Sequence, residues 1–455
     1  MSINELLLER REKHLDELKE LLRIPSISTD DRFKPDVQRC AAWVEARLKE
    51  AGLTTRTYPT PRHPVVYGEW LGAPGAPTVL IYGHYDVQPS EPDELWRNPP
   101  FEPTIEGGNI VARGATDDKG QFYCHVKAIE TLMAAQGSLP VNVKVLIEGE
   151  EEIGSPSLDP FIEQHRDMLA ADVVLVSDTP MYAPGKPSIT YGLRGLTYIE
   201  VTVEGASHDL HSGLYGGAVA NPINALATII SRLKDESGRI QVPGFYDEVV
   251  DLDPEERNAL LALEYNPSEF CASVGIEAST GEAGYAIIER VTTRPTLDCN
   301  GIWGGYTGQG AKTVLPAQAH AKISCRLVPN QTPEAITESL SNYLKAVAPA
   351  GVKVTVRANH GTIPFVVDRS APAMKAAMVA LEQTWGVKPV YTRGGGSIPV
   401  VASFKRLLGL DTILMGFGLE DDRLHSPNEK FALENYFQGI RASVLFLEQL
   451  ALTER

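Results

Sequence analysis

The stretch Thr78-Val-Leu-Ile-Tyr-Gly-His-Tyr-Asp86 decides how the rest of the chain is read. Its uninterrupted apolar run suits a strand covered on both faces. His84 and Asp86 follow directly. On an extended chain, residues i and i+2 share a face, so both side chains reach one site, and Asp86 is able to accept the second ring N–H of His84. Alone, this pair is better read as a surface feature after a strand.

Working outward, residues 64–70 (PVVYGEW) and a Gly/Pro turn at 72–77 precede the strand. Beyond it come a helical pattern at 121–136, a strand at 141–149, a further helix and the strand DVVLVSD ending at Asp178. Strands alternating with helices predict a largely parallel sheet with helices on both faces. Upstream, Ser2 and Glu5 fit a capping box opening an amphipathic helix that Pro25 stops, and a second helix is expected at 37–51, ended by Gly52. From about Leu193 the texture changes. Residues 189–205, 319–329 and 351–359 alternate apolar and polar, as one-side-exposed antiparallel strands do. The expected organisation is therefore an α/β domain from 1–194 and 372–455, interrupted by an inserted α+β domain at 195–371. The helix at 370–385 and the strand at 412–417 are expected to rejoin the first sheet.

Composition excludes several function classes. The 455 residues carry 42 Lys+Arg against 59 Asp+Glu, a formal charge of −17, with no basic stripe. Phosphate-driven nucleic-acid binding needs clustered cations, so no nucleic-acid partner is expected. No apolar stretch approaches the ~18 residues of a membrane span, and the charged N-terminus lacks a secretory apolar core. The five cysteines are scattered and form no C-x-x-C pair, which fits reduced thiols in a cytoplasmic protein. Residues 305–313 are not a phosphate loop, because Ala311 stands where Lys is required.

Further acidic and imidazole groups fall at strand ends. Asp117 and Asp118 precede a helix, where either metal ligation or helix capping accounts for them. Glu150, Glu151 and Glu152 follow a strand; they are either a solvated acidic helix start or a ligand beside a general base. Asp178 ends a third strand, and His425 lies far downstream in DDRLHSPNEK. Open α/β sheets put their sites at such strand ends. This donor mixture suits Zn²⁺, Mn²⁺ or Co²⁺, and Asp117, Glu152, Asp178 and one hydroxide would balance two divalent ions.

The motifs HYDVQP, ARGATDDKGQ, EGEEEIGS, VSD, DLHSGLYGG, GAKTVLP, CRLVPNQTPE, GGGSIP and LHSPNEK occur in that order. Together they resemble the M20 metallopeptidases, in particular the dipeptidase branch with the cytosolic carnosinase-like enzymes. The resemblance implies a discontinuous zinc-peptidase-like catalytic domain with an inserted lid and dimerisation domain. It implies two metal ions held by His84, Asp117, Glu152, Asp178 and His425, with Asp117 bridging. Glu151 would be the general base, taking a proton from a metal-bridging water, and Asp86 the orienting carboxylate. A cis peptide is implied at Asp117–Asp118. His211 would donate to the oxyanion, reaching with Thr313 into the active site of the other subunit of a homodimer. Thr313, Arg326, His360 and Ser397 would line the substrate site, Arg326 matching a terminal carboxylate. Gly394–Gly396 reads as a tight turn presenting Ser397. The carnosinase-like relatives read T-R-E-G-G-S-I-P, whereas this chain has Gly394 in place of the glutamate. That departure weakens recognition of a substrate α-amino group. The expected activity is dipeptide hydrolysis; an N-acyl-amino-acid amidohydrolase or carboxypeptidase is the alternative, and an inactive binding protein the remote one.

Overall fold

The computed structural model describes residues 2–263 and 265–453. The chain divides into two compact units. One comprises the residues up to Tyr191, Val367–Thr392 and those from Pro399 onward; the other comprises Gly192–Val366 and Arg393–Ile398.

In the first unit a mixed sheet runs in the order Thr54–Tyr58, Val65–Trp70, Asn142–Glu148, Thr78–His84, Val173–Val176, Thr412–Leu414, Ser188–Leu193. Its four middle strands are parallel. The flanking pairings are antiparallel. The Thr412–Leu414 strand beside Val173–Val176 brings the C-terminal segment back into the sheet. Every residue of Thr78–His84 after the first is buried, as its unbroken apolar run requires. Tyr82 meets Phe404 of helix Pro399–Leu408 edge-on at 5.6 Å. Gly83 faces the other way, where an added Cβ would lie 2.5 Å from Phe122 Cβ in helix Lys119–Gln136. Helices therefore cover both faces. The close approach at Gly83 seats the start of Lys119–Gln136 directly against the end of the His84 strand.

The N-terminal capping box forms, but two helices, Ile3–Glu9 and Arg11–Leu22, stand where one was expected. They are interrupted at Arg10, and no Pro or Gly marks the break. The next helix is Lys34–Glu50, with proline in its first turn.

The second unit carries an antiparallel sheet in the order Thr296–Gly304, Gln318–Leu327, Gly195–Glu204, Lys353–Thr362. Gly195–Glu204 alternates strictly between buried and half-buried residues. The buried face, with Ile199, Val201 and Val203, packs with Leu226 and Ile229 of helix Pro222–Ser231 and Leu340 and Leu344 of helix Pro333–Ala346.

Two buried histidines make the first unit sensitive to acid. Burial lowers the pKa of His14 to about 4. It lowers that of His125 to about 3. Neither ring nitrogen of His14 has a hydrogen-bond partner among the described residues. The unfolded chain takes up these protons below about pH 6.5 while the folded chain does not, so their stabilising effect is full above that pH and is lost as pH falls toward 4 and 3. In metal-stripped protein, the urea midpoint of His14→Leu is expected to rise relative to that of the unsubstituted chain as pH is lowered from 7.5 to 5. A difference between the two proteins that stays constant with pH would exclude His14 as a contributor.

Candidate metal centre

The parallel strands deliver their polar ends to one edge of the first unit. His84 is the last residue of Thr78–His84, Glu148 the last of Asn142–Glu148, and Asp178 lies two residues beyond Val173–Val176. Asp117 comes from the loop ahead of helix Lys119–Gln136, across a cis peptide to Asp118. His425 sits in the left-handed region (φ 57°) in the loop after Thr412–Leu414.

Asp117 stands at the centre. Its Oδ1 lies 3.1 Å from His84 Nε2. Its Oδ2 lies 2.9 Å from His425 Nε2. Asp178 approaches the same His84 nitrogen at 4.0 Å. Glu152 Oε2 lies 3.4 Å from His425 Nε2. Two donor groups result, His84/Asp117/Asp178 and Asp117/Glu152/His425, each with ligand atoms within 4.8 Å of one another and Asp117 in common. Buried polar atoms without hydrogen-bond partners among the described residues include His84 Nε2 and Glu152 Oε1. Imidazole and carboxylate atoms left free at this spacing fit divalent cations.

The three consecutive glutamates separate by environment. Glu150 is buried and turned away from Asp117; its Oε1 accepts from the His63 amide at 2.8 Å and the Thr60 hydroxyl at 2.8 Å, its Oε2 from the Ser157 amide at 3.0 Å. Glu152 accepts from Gln88 Nε2 at 2.7 Å. Glu151 begins the short turn Glu151–Ile153. The second ring nitrogen of His84, Nδ1, has its hydrogen bond with the backbone O of Asp86 at 3.1 Å and not with the Asp86 carboxylate, which braces the neighbouring turn. Asp86 Oδ1 lies 3.4 Å from His84 Nδ1, while the two carboxylate oxygens accept the amides of Glu151 at 3.2 Å and Glu152 at 3.1 Å. The helix-capping alternative for Asp118 is not realised: its Oδ2 accepts the His84 amide at 3.2 Å instead.

The acidity of these groups reflects crowding. Burial, with the Asp117 charge, pushes Glu152 up to about 8. Burial and the neighbouring Asp117 and Asp118 raise Asp178 well above the usual carboxylate range. Burial raises Glu151 against the pull of His84, with Asp86 and Asp117 adding to the rise. Burial opposes ionisation of Asp117, but His425 and His84 outweigh it and hold this carboxyl low. The hydrogen bond to Asp117 lifts His425 to about 9.

Sequence reasoning passed over two residues that hold the ligands. Gln88 continues the i, i+2 series of His84 and Asp86, a signal that was available. Glu429 is fully buried and grips the Asp117 loop through three amides and Arg113. Only the tertiary structure reveals it.

The remaining expected residues belong to the second unit. His211 and Thr313 are exposed and adjacent, Thr313 O accepting the Ser212 amide at 3.1 Å. His211 Nδ1 accepts the Gly213 amide at 3.0 Å, which leaves the proton of the neutral ring on Nε2. Arg326 Nη1 donates to Ser397 Oγ at 3.3 Å. The backbone of His360 lies in Lys353–Thr362, but its side chain is outside the described residues. Gly394 ends the strand Val390–Gly394, and none of Gly394–Gly396 has positive φ. The glycine at 395 answers a close approach instead, since a Cβ there would lie 2.4 Å from Val291 O.

An α/β sheet with carboxylates and imidazoles converging at its parallel strand ends is the architecture of a metal-dependent hydrolase. Residues 80–449 match the model of peptidase family M20/M25/M40, and the chain belongs to that family. It is 35% identical to the Cys-Gly metallodipeptidase DUG1 of Candida albicans, over 95% of this chain and 93% of that one. It is 32% identical to human Beta-Ala-His dipeptidase, over 96% and 91%. Among solved structures, the M20 metallo-carboxypeptidase Sso-CP2 from Sulfolobus solfataricus superposes with a TM-score of 0.84 at 34% identity, covering 96% of this chain and 99% of that one. The chain is thus a peptidase of the M20 type. Among the described residues, no helix is long and apolar enough to cross a membrane.

A cation held by these groups would relieve the crowding and, by binding the folded chain more tightly than the unfolded one, would stabilise it by mass action. At one hundred times its Kd an ion contributes about 2.7 kcal/mol. Differential scanning calorimetry is expected to show a higher melting temperature with Zn²⁺ or Mn²⁺ than with EDTA. Identical melting temperatures would argue against a metal centre.

Proposed function

We propose that this chain hydrolyses the amide bond of dipeptides with two divalent ions, which His84, Asp117 and Asp178 and, sharing Asp117, Glu152 and His425 would hold. The reading rests on one observation above all: the two oxygens of Asp117 face different imidazoles, each with its own further carboxylate. When bound, the ions supply Lewis acidity, acidifying water and polarising the scissile carbonyl. Glu151 accepts the proton of the attacking water and passes it to the leaving amine. Its carboxylate has no hydrogen-bond donor among the described residues, and burial keeps its pKa raised, both of which suit a group that must take and return a proton. Asp86 orients the His84 ring through its backbone O and, through the Glu151 and Glu152 amides, the turn that carries the base. Arg326, beside Ser397, suits a substrate carboxylate.

A second reading, action on N-acyl amino acids or as a carboxypeptidase, is favoured by Gly394 and by the likeness to a metallo-carboxypeptidase. Metal-loaded protein assayed on dipeptides, longer peptides and N-acetyl amino acids is expected to turn over dipeptides fastest. Glu151→Gln is expected to lower kcat by about 10²–10⁴-fold with metal content near normal. Loss of metal in that variant would reassign Glu151 as a ligand, and faster N-acyl turnover would favour the second reading.

We further propose a homodimer in which His211 Nε2–H donates to the oxyanion in the partner subunit's site, a role that suits the tautomer set by the Gly213 amide. Mixing inactive His211→Ala and Glu151→Gln subunits is then expected to restore part of the activity through hybrid dimers. No recovery after verified subunit exchange would refute the shared site.

A further inference from the structure

The two donor groups are supported in different ways. His84 and Asp178 belong to the ends of adjacent parallel strands, and the His84 backbone is held by the Asp118 carboxylate. His425 has no such frame. It lies in a long loop with a half-exposed side chain and positive φ, flanked by Arg423 and Asn428, which also have positive φ. That loop is tied down a few residues on either side of His425. Asp422 accepts the Leu419 amide at 2.7 Å and Lys430 Nζ at 3.0 Å. Asn428 Oδ1 accepts the Arg97 amide at 2.8 Å.

The Thr116 hydroxyl, one residue before Asp117, bonds to Asp422 Oδ2 at 3.0 Å and Lys430 O at 2.6 Å, but Glu429 is the tie that reaches the backbone of the ligand itself. Its Oε1 accepts the amides of Thr116 at 2.9 Å and Asp117 at 3.1 Å. Its Oε2 accepts the Gly114 amide at 2.9 Å and Arg113 Nη1 at 2.8 Å. Arg113, itself buried, also donates to Pro89 O at 3.0 Å. Four donors saturate the two oxygens, so this carboxylate has no free lone pair for a ligand and is not a metal donor. It joins the segment four residues after His425 to the backbone of Asp117 itself.

We infer that Glu429 is a positioning residue that sets the distance between Asp117 and His425 and so preassembles the Asp117/Glu152/His425 group. The inference rests on the two-ion reading given above. Replacing Glu429 by Gln puts an NH₂ group against an array made only of donors, which breaks at least one oxygen's pair of hydrogen bonds and leaves Arg113 without its counter-charge. The His425 loop then keeps only the Thr116 hydroxyl bonds to Asp422 and Lys430 and loses its direct hold on the Asp117 amide, whereas His84 and Asp178 keep their strand ends. The expected outcome is loss of affinity at one of two ions and not at the other.

The test is titration of the metal-stripped full chain with Zn²⁺ or Mn²⁺ by calorimetry, with bound metal counted by elemental mass spectrometry. Wild type is expected to take two ions. Glu429→Gln is expected to take the first with near-wild-type affinity and the second about 10–100-fold more weakly, the usual cost of removing a group that orients a ligand. Glu429→Asp, which keeps the charge, is expected to recover part of that loss, and it gives the same readout if the Gln variant does not fold. Wild-type affinity for both ions in the variants, or equal weakening of both, overturns the inference. A wild-type chain that takes a single ion overturns the two-ion reading and this inference with it.

Discussion

One carboxylate shared between two imidazoles organises the first unit. Asp117 stays ionised only because His84 and His425 face its two oxygens. The same small volume also takes in Glu151, Glu152 and Asp178, whose ionisation is resisted by burial and by Asp117 itself. Two like charges 4 Å apart repel by about 4 kcal/mol at an effective dielectric of 20. Converging these groups without a cation is costly, and the fold holds them together through rigid supports. The parallel strands provide part of that support, since their ends cannot move without breaking the sheet. Gly83 provides another part, because the absent Cβ lets helix Lys119–Gln136 begin against the His84 strand.

The fold was legible where hydrophobic periodicity is strong. The unbroken run at Thr78–His84 became a strand covered on both faces, and the alternation at Gly195–Glu204 became a strand covered on one. Where a feature depends on contacts distant in sequence, periodicity carried no signal. The break at Arg10 has no local breaker residue, and Arg393–Ile398 joins the second unit although it is flanked on both sides by residues of the first.

The site was legible in part for the same reason. His84, Asp117, Glu152, Asp178 and His425 do converge, but spacing alone left Glu150, Glu151 and Glu152 undistinguished, because consecutive residues share every local signal. Their separation comes from the Thr60–His63 segment, which supplies Glu150 with donors and leaves its neighbours facing Asp117. Gln88 was within reach of the i, i+2 rule. Glu429 was not, since its partners Gly114, Thr116 and Asp117 lie more than three hundred residues earlier.

These carboxylates sort by the donors that surround them. Glu429 is saturated by three amides and a guanidinium, Glu150 accepts two amides and a hydroxyl, and Asp86 accepts two amides beside an imidazole. Glu152 receives one side-chain amide on one oxygen and nothing on the other. Hydrogen bonds to a carboxylate stabilise its charge and occupy its lone pairs together. A saturated carboxylate is thus a good anchor and a poor ligand or base, whereas an unsaturated one is costly in the fold and available to a cation or a proton. The folded chain spends its backbone donors on the carboxylates that brace the site and withholds them from those that face Asp117. That division, rather than the acidity of the segment, is what makes a run of neighbouring glutamates capable of different work.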